Sequence, residues 1–278
     1  MCYRGGTEAR REHGLKKTVV ITGANGYLGK TLVKEITSTK RYNLFILSED
    51  ITNCKEVGET LDSIDFDILI HAAALVPSRS PTPEELLRVN YLGTTNLAKH
   101  CTPDTHFIFI SSDLVFPSEA GRIWKPDDNP FPPQSTYSMT KAIAEDHLID
   151  KTEIEDVAVL RTSMLYGGEG ERDNFFQFLG RRLSLGLETE VYTNLYSHPT
   201  HVEDLSRFIV SVMDNRRKGI IHACSDEYFN RDELARVVCK NRGYNEKLLL
   251  AVSADKPCET RLEPDEEFVS QIKFRLEQ

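Results

Sequence analysis

The sequence predicts a doubly wound α/β fold, in which helices cover both faces of a parallel sheet and a smaller C-terminal lobe follows. Strand-like runs alternate with helix-like segments through the first half of the chain. The runs at residues 68–70 and 107–110 are continuously apolar, as expected for strands that are covered on both sides. The length of 278 residues suits one large domain that carries such a lobe.

The elements follow one another in a regular order. The first strand, Lys17–Thr22, is a β-branched run, and Leu28, Leu32 and Ile36 then recur at helical spacing. Further strands are predicted at residues 43–47, 66–73, 105–111 and 157–161, and helices at residues 54–64 and 83–101 and from about residue 135 onward. Residues 115–136 form a long proline-rich connection, which is typical of a functional loop.

The alternation is lost in the last third of the chain. An amphipathic segment at residues 174–185 and a short strand near residues 190–193 are its clearest features. The sequence therefore predicts one domain over residues 17–165 and mainly a substrate-binding lobe over residues 166–278, with some chain returning to the first domain. Residues 1–16 are polar and are expected to be a flexible tail.

Composition and charge exclude several classes of partner. The net charge is −9 and the pI is about 5.5, which opposes binding to nucleic acid or to an anionic membrane surface. No apolar run approaches the roughly 18 residues of a membrane span. The six cysteines are widely spaced, which favours reduced thiols in a cytoplasmic protein. His198 and His201 have no third ligand nearby in sequence, so no metal site is predicted.

Three glycines between the first strand and the first helix have the spacing G-x-x-G-x-x-G. Gly23 permits a sharp exit from the strand, Gly26 lets backbone approach a pyrophosphate, and Gly29 allows close packing of helix on strand. The N-terminus of the helix favours the phosphate charge. The sequence therefore predicts that residues 17–165 are an NAD(P)-binding Rossmann domain.

The end of the second strand lies where such domains contact the adenosine ribose. Glu49 could accept a hydrogen bond from a ribose 2′-hydroxyl and favour NAD. Ser48, with Lys40 and Arg41 nearby, could instead tolerate the 2′-phosphate of NADP. The residues themselves leave both cofactors open.

A catalytic constellation is predicted from three residues. Tyr137 and Lys141 are four residues apart and so share one face of a helix. A lysine at that distance favours the phenolate and can grip the nicotinamide ribose, as a proton relay through tyrosine requires. Ser112 follows a buried strand at its carboxyl end, where open α/β sheets bind ligands, and its hydroxyl can polarise a carbonyl.

These motifs, with four further segments, resemble the extended short-chain dehydrogenase/reductase family. The segments are HAAA at residues 71–74, VNYLGT at residues 89–94, SSDLVF at residues 111–116 and HPTHVEDL at residues 198–205. The resemblance is greatest to the dTDP-4-dehydrorhamnose reductase group. It implies an NAD(P)H-dependent reductase of a nucleotide-linked 4-keto sugar, working as a homodimer that pairs through the helices near residues 83–101 and 135–149.

The resemblance also implies roles for individual residues. Tyr137 is the expected proton donor, Lys141 its partner and Ser112 the hydroxyl that polarises the substrate. Leu114 stands where sugar dehydratases have a glutamate, which disfavours dehydration. The predicted cofactor contacts are Gly23, Asn25, Gly26, Tyr27, Leu28, Gly29, Ser48, Glu49, Asp50, Ile51, Ala72, Ala73, Ala74, Asn90, Ser111, Tyr137, Lys141 and Met164. The predicted substrate contacts are Val76, Ser112, Asp113, Asn174 and Arg181, of which Arg181 would face a diphosphate.

Two alternatives use the same fold. A nucleotide-sugar 4-epimerase would share the three catalytic residues but retain its cofactor through the cycle. A non-catalytic NADP-binding regulatory subunit, like the β subunit of methionine adenosyltransferase, would need no turnover. The intact Ser112, Tyr137 and Lys141 favour an enzyme.

Overall fold

A computed structural model describes residues 16–168, 174–273 and 275–276 of the chain. Within these ranges a parallel sheet of six strands forms the centre of the molecule, in the order β11-β6-β4-β3-β1-β2. The sheet strands are β1 (Lys17–Thr22), β2 (Tyr42–Leu47), β3 (Ile68–His71), β4 (His106–Ser112), β6 (Asp156–Thr162) and β11 (Gly219–His222). Strands β2 and β3 both pair with β1 in parallel and lie on opposite sides of it, so the strand order in the sheet reverses at β1. A crevice at such a reversal is where these sheets bind ligands.

The helices cover both faces of the sheet. They are α1 (Tyr27–Thr39), α2 (Cys54–Asp62), α3 (Pro83–Leu86), α4 (Gly93–Ala98), α5 (Thr136–Asp150), α6 (Phe175–Ser184), α7 (Val202–Asn215), α8 (Arg231–Arg242) and α9 (Glu266–Gln271). One apolar cluster joins the sheet to α1, α7 and α9, and a second joins it to the helical segments on the other face. The predicted doubly wound fold is confirmed, because burial on both faces explains why the strands carry uninterrupted apolar runs.

The remaining strands are short and pair outside the central sheet. They are β5 (Ile123–Trp124), β7 (Leu165–Tyr166), β8 (Thr189–Tyr192), β9 (Tyr196–Ser197), β10 (Thr200–His201), β12 (Phe229–Asn230), β13 (Leu249–Val252) and β14 (Arg261–Leu262). Strand β8 pairs with β13, and these two strands pack with α6 and α8 around an apolar cluster of their own. This third cluster is the core of a C-terminal lobe.

Part of the C-terminal third continues the dinucleotide-binding half. Helix α7 packs against α1, and β11 extends the central sheet beside β6. The loss of alternation in this region is therefore only local: the segment containing α6 and β8 interrupts the strand-helix-strand order between β6 and β11. Strand β11 has only four residues at the edge of the sheet, which gives a weak sequence signal.

The predicted helix at residues 83–101 is not a uniform α-helix. It comprises α3, a π-helical segment Leu87–Leu92, and α4. The widened turn holds Asn90, which is buried. Such π-segments are frequent at functional sites, and hydrophobic spacing does not predict them because the change is less than one turn. Among the described residues, no helix is long and apolar enough to cross a membrane.

Candidate active site

The glycine loop between β1 and α1 fits the pyrophosphate of a dinucleotide. Gly23 has a φ of +71°, and a Cβ there would lie 2.5 Å from the backbone nitrogen of Ala73. A Cβ on Gly29 would lie 2.0 Å from the carbonyl oxygen of Gly23. Gly26 is the N-cap of α1, and this helix has no side-chain cap. The loop is therefore bare backbone beside a helix N-terminus, which is the arrangement that binds phosphate.

The other residues of the loop have different environments. Asn25 is exposed, whereas the side chain of Leu28 belongs to the apolar cluster under the sheet. The hydroxyl of Tyr27 donates to the carbonyl oxygen of Gly167 and accepts a hydrogen bond of 2.9 Å from Asn174 Nδ2. Tyr27 thus joins the start of α1 to the lobe.

At the end of β2, only one oxygen of the Glu49 carboxylate has a hydrogen-bond partner among the described residues. Thr60 Oγ1 donates to Glu49 Oε1 over 2.8 Å, while Oε2 is buried and has no hydrogen-bond partner among the described residues. Ser48 and Asp50 are exposed, and hydrogen bonds from Thr52 lower the pKa of the Asp50 carboxyl. Ile51 is buried against Gly93.

The alanine loop after β3 is fixed by buried polar groups. The backbone N–H of Ala73 donates to Thr22 Oγ1, and Ala72 lies against Gly23. The Asn90 side chain accepts from the N–H of Leu75 at 2.8 Å and donates to the Leu75 carbonyl at 3.0 Å. Asn90 therefore holds this loop, and Ala74 within it, in place through internal bonds.

The elements that carry the predicted catalytic residues meet at the carboxyl end of β4. Ser112 ends this strand, and its hydroxyl donates to Asp113 Oδ1 at 3.0 Å and accepts from the N–H of Leu114. Tyr137 and Lys141 lie on the buried side of α5, which packs against residues 113–115. Ser135 caps this helix and so fixes where its first turn begins.

Lys141 is buried almost completely and lies against the same strand. Its Nζ donates to the carbonyl oxygen of Ile110 over 2.6 Å and lies 4.0 Å from the centre of the Phe109 ring. Burial lowers the pKa of Lys141 to about 7, and the nearby Glu145 carboxylate opposes that shift. A lysine with a pKa near 7 can gain or lose its proton near neutral pH.

Ser111, predicted to contact the cofactor, donates its hydroxyl to a buried carboxylate. Its hydroxyl bonds to Glu145 Oε1, and Arg161 pairs with Glu145 Oε2 at 2.8 Å. Arg161 also donates to the carbonyl oxygen of Pro126 in the proline-rich loop. This network ties α5, β4, β6 and that loop together beside Lys141.

The predicted substrate residues lie in two places: Asp113 and Val76 follow strands of the central sheet, and Asn174 and Arg181 lie at or on α6. Asp113 is buried beside Ser112 and accepts from the Ser163 hydroxyl, and burial raises the pKa of its carboxyl. Val76 is half-buried after the alanine loop, and Met164 follows β6. Asn174 uses its side chain to cap α6 and to bond Tyr27, and Arg181 is exposed on α6.

A cavity of about 630 Å³ opens in the C-terminal lobe. Phe175, Phe178, Arg182, Tyr192, Leu195 and Arg231 are among its lining residues. The lining includes Arg182 but not the predicted Arg181. Arg231 follows β12, far from the other site residues in sequence and outside any motif, so sequence reasoning missed it.

His198 and His201 serve the backbone. His198 Nδ1 bonds to the carbonyl oxygen of Ser225 at 2.7 Å, its Nε2 accepts from the N–H of Leu262, and burial lowers its pKa to about 4. His201 Nδ1 accepts from the N–H of Glu203 at the start of α7. Within the described ranges, no group of three or more ligating side chains could hold a metal ion.

The fold and this site define a dinucleotide-binding oxidoreductase of the extended short-chain dehydrogenase/reductase type. A family model described as the RmlD substrate binding domain matches residues 17–276. The chain belongs to this family. The confirmed class is thus an NAD(P)-dependent oxidoreductase, and its relatives include dTDP-4-dehydrorhamnose reductases.

The relatives include both predicted activities. The dTDP-4-dehydrorhamnose reductase of Mycobacterium tuberculosis is 28% identical over 252 residues, which cover 87% of this chain and 81% of that protein. The UDP-glucose 4-epimerase of Vibrio cholerae is 29% identical over 228 residues, covering 72% and 68%. The crystal structure of dTDP-4-dehydrorhamnose reductase from Bacillus anthracis in complex with NADP superposes with a TM-score of 0.80 at 25% identity, covering 90% and 92%.

Proposed function

We propose that the protein reduces the 4-keto carbon of a nucleotide-linked deoxysugar with NAD(P)H. The hydrogen bond of 2.6 Å from Lys141 Nζ to the carbonyl oxygen of Ile110 carries this proposal. It brings the buried face of α5, with Tyr137 one turn before Lys141, to the strand end that presents Ser112. A proton donor, its cationic partner and a polarising hydroxyl thus surround one reaction centre.

The reaction needs a hydride and a proton. Bound NAD(P)H supplies the hydride to the keto carbon. The Ser112 hydroxyl donates a hydrogen bond to the keto oxygen, and the Tyr137 hydroxyl transfers its proton to that oxygen as it becomes an alcohol. The Lys141 ammonium then stabilises the tyrosinate that is left.

The residues around this centre support reduction over dehydration. Leu114 follows Asp113 and has no acidic group that could remove a proton from the sugar. We place the adenosine between Glu49 and Asp50, the pyrophosphate on the loop of Gly23 and Gly26, and the sugar beside Ser112. The dTDP-4-dehydrorhamnose reductases among the relatives make dTDP-4-dehydrorhamnose the first substrate to test.

The test is sugar-dependent oxidation of the reduced nicotinamide. Purified protein is mixed with NADPH or NADH and with dTDP-4-dehydrorhamnose or a UDP-linked 4-keto sugar. The absorbance of the reduced cofactor is then followed over time. Oxidation that requires a sugar supports the reductase and identifies the preferred cofactor. Tight cofactor binding without oxidation on any sugar contradicts it, and would favour the epimerase or the regulatory subunit.

We also propose an organisation for the whole protein. Residues 17–165 bind the cofactor, and residues 166–278 mainly bind the substrate, with α7 and β11 returning to the cofactor domain. Two copies pair through the helices of residues 83–101 and α5, which carry the exposed apolar side chains Leu87, Leu92, Met139 and Ile149. The described cysteines are free, which suits the cytoplasmic compartment that we propose.

A further inference from the structure

The cavity in the C-terminal lobe contains two arginines, and their environments differ. Arg182 is committed to the lobe: its Nε donates to Thr189 Oγ1 at 3.1 Å, and Nη2 donates to the carbonyl oxygen of Glu188. Arg231 makes one side-chain hydrogen bond within the described ranges, from Nη1 to Ser197 Oγ at 2.6 Å. Its Nε and Nη2 therefore retain unused donors.

Arg231 is also a cation without a close carboxylate. No Asp or Glu of the described residues lies within ion-pair distance of its guanidinium. By contrast, Arg236 in the middle of the same helix pairs with Asp232 at 2.9 Å. Burial lowers the pKa of Arg231, and the more distant Asp113 partly offsets this. A largely buried, unpaired guanidinium is costly unless an anion completes its environment.

A relay of contacts connects Arg231, which lines the cavity, with Ser112. Its partner Ser197 directs its hydroxyl to Met164 Sδ, and the next residue, His198, donates its N–H to Ser163 Oγ. Ser163 in turn donates to Asp113, which accepts from Ser112. These contacts link Arg231, in the wall of the cavity, to the residues around Ser112.

We propose that Arg231 binds the diphosphate of the nucleotide-sugar substrate, with the nucleoside in the cavity beyond it. This inference rests on the proposed function only in taking a nucleotide sugar as the ligand. The planar guanidinium donates two parallel hydrogen bonds to phosphate oxygens. Phe178 and Tyr192 provide apolar surface for the nucleoside. The exposed glutamates Glu188 and Glu190, which also line the cavity, disfavour an anionic group at that end.

The proposal is tested by binding without turnover. Isothermal titration measures the affinities of dTDP, UDP, GDP, thymidine and NADPH for the wild type, Arg231→Met and the control Arg236→Met. We expect Arg231→Met to weaken binding of the preferred diphosphate by about 10- to 100-fold, with thymidine and NADPH affinities changed by less than about 2-fold. Arg236→Met should bind every ligand as the wild type does.

Several results would overturn the proposal. One is an unchanged diphosphate affinity in Arg231→Met. Another is a loss of thymidine affinity equal to the loss of diphosphate affinity, which would indicate a structural role. The third is failure of the wild type to bind any of the diphosphates. If Arg231→Met does not fold, Arg231→Lys is measured instead, and weaker diphosphate binding at an unchanged melting temperature is the supporting result. An unchanged diphosphate affinity in Arg231→Lys at the wild-type melting temperature overturns the proposal.

The test also separates this proposal from the proposed function. Suppose that diphosphate binding depends on Arg231 but that none of the 4-keto sugars supports NADPH oxidation. This result supports the role of Arg231 and contradicts the reductase. Conversely, if the wild type reduces the sugar and Arg231→Met has the same KM, the reductase stands and the role of Arg231 is wrong. A raised KM with a smaller change in kcat is the expected kinetic result.

Discussion

At the scale of single residues, the proposed chemistry depends on a lysine that the fold buries. Lys141 exchanges its hydration for one carbonyl hydrogen bond and the face of the Phe109 ring. These contacts do not replace water fully, so its pKa falls to about 7. The unfolded chain keeps the ordinary value near 10.5, and the difference makes the stability of the protein depend on pH.

The sign of this dependence gives a prediction. Between about pH 7 and 10.5 the unfolded state binds the Lys141 proton more strongly than the folded state, so stability from this residue rises with pH. The melting temperature of the wild type relative to Lys141→Met should therefore increase from pH 7 to pH 9, by roughly 2–4 °C for each kcal/mol of differential stability. Scanning fluorimetry over this range measures it. A difference that is flat or falls with pH would contradict a depressed pKa in the folded protein.

A second prediction at this scale concerns the buried pair of Glu145 and Arg161. Arg161→Met leaves the Glu145 carboxylate buried without its cation, and should lower the free energy of unfolding by about 3–5 kcal/mol. Urea unfolding measures the change. The exposed pair of Arg236 and Asp232 provides the control, since Arg236→Met should cost less than about 1 kcal/mol. Equal costs for the two arginines would mean that the buried network is not what joins α5 to β4 and β6.

At the scale of elements, the glycine loop is the part that sequence predicts best. Its function depends on adjacent residues in one strand, one turn and one helix, so spacing alone reveals it. The cavity of the lobe is the opposite case, because its walls come from α6, β8, α8, β13 and Leu195 before β9, and Arg231 reaches it from a segment without a motif. The π-helical turn at Asn90 and the short edge strand β11 were likewise missed, since neither changes the hydrophobic period over a full window.

Packing around the glycine loop gives a prediction for α1. Gly29→Ala would place a Cβ 2.0 Å from the carbonyl oxygen of Gly23, which is backbone and cannot move without opening the turn. We expect a loss of NADPH affinity of at least about 10-fold, measured by fluorescence titration. Gly180→Ala is the matched control on α6, where the nearest atom is the Tyr244 hydroxyl at 3.4 Å. That change should leave affinity intact and add up to about 1 kcal/mol of stability. Wild-type affinity in Gly29→Ala would contradict the close packing of this loop.

At the scale of the whole molecule, we propose that two halves share the reaction. The central sheet carries the glycine loop, whereas the lobe has a separate core and a cavity. Tyr27 and Asn174 connect the halves by a hydrogen bond of 2.9 Å. The order of strands and helices predicted the first half well, but the lobe comes from short strands paired over long separations, for which the sequence has little local signal.

The pairing of two copies is predicted at this scale. Leu92 and Met139 are 45% and 40% exposed on neighbouring helical segments, so a Leu92→Glu/Met139→Glu variant should be monomeric if these helices form the dimer. Light scattering after size-exclusion chromatography measures the mass. Leu185→Glu is the control, because Leu185 is 69% exposed on the lobe and lies outside these helices. A wild-type monomer, or a dimer that survives both charges, would contradict the proposed interface.

The central claim is that Tyr137 supplies the proton for reduction of a nucleotide-linked 4-keto sugar. The most direct measurement compares sugar-dependent NADPH oxidation by the wild type, Tyr137→Phe and the control Tyr42→Phe, with NADPH affinity measured in parallel. We predict that Tyr137→Phe loses at least about 100-fold in kcat with nearly unchanged cofactor affinity, while Tyr42→Phe matches the wild type. Activity in Tyr137→Phe within a few-fold of the wild type would contradict the account.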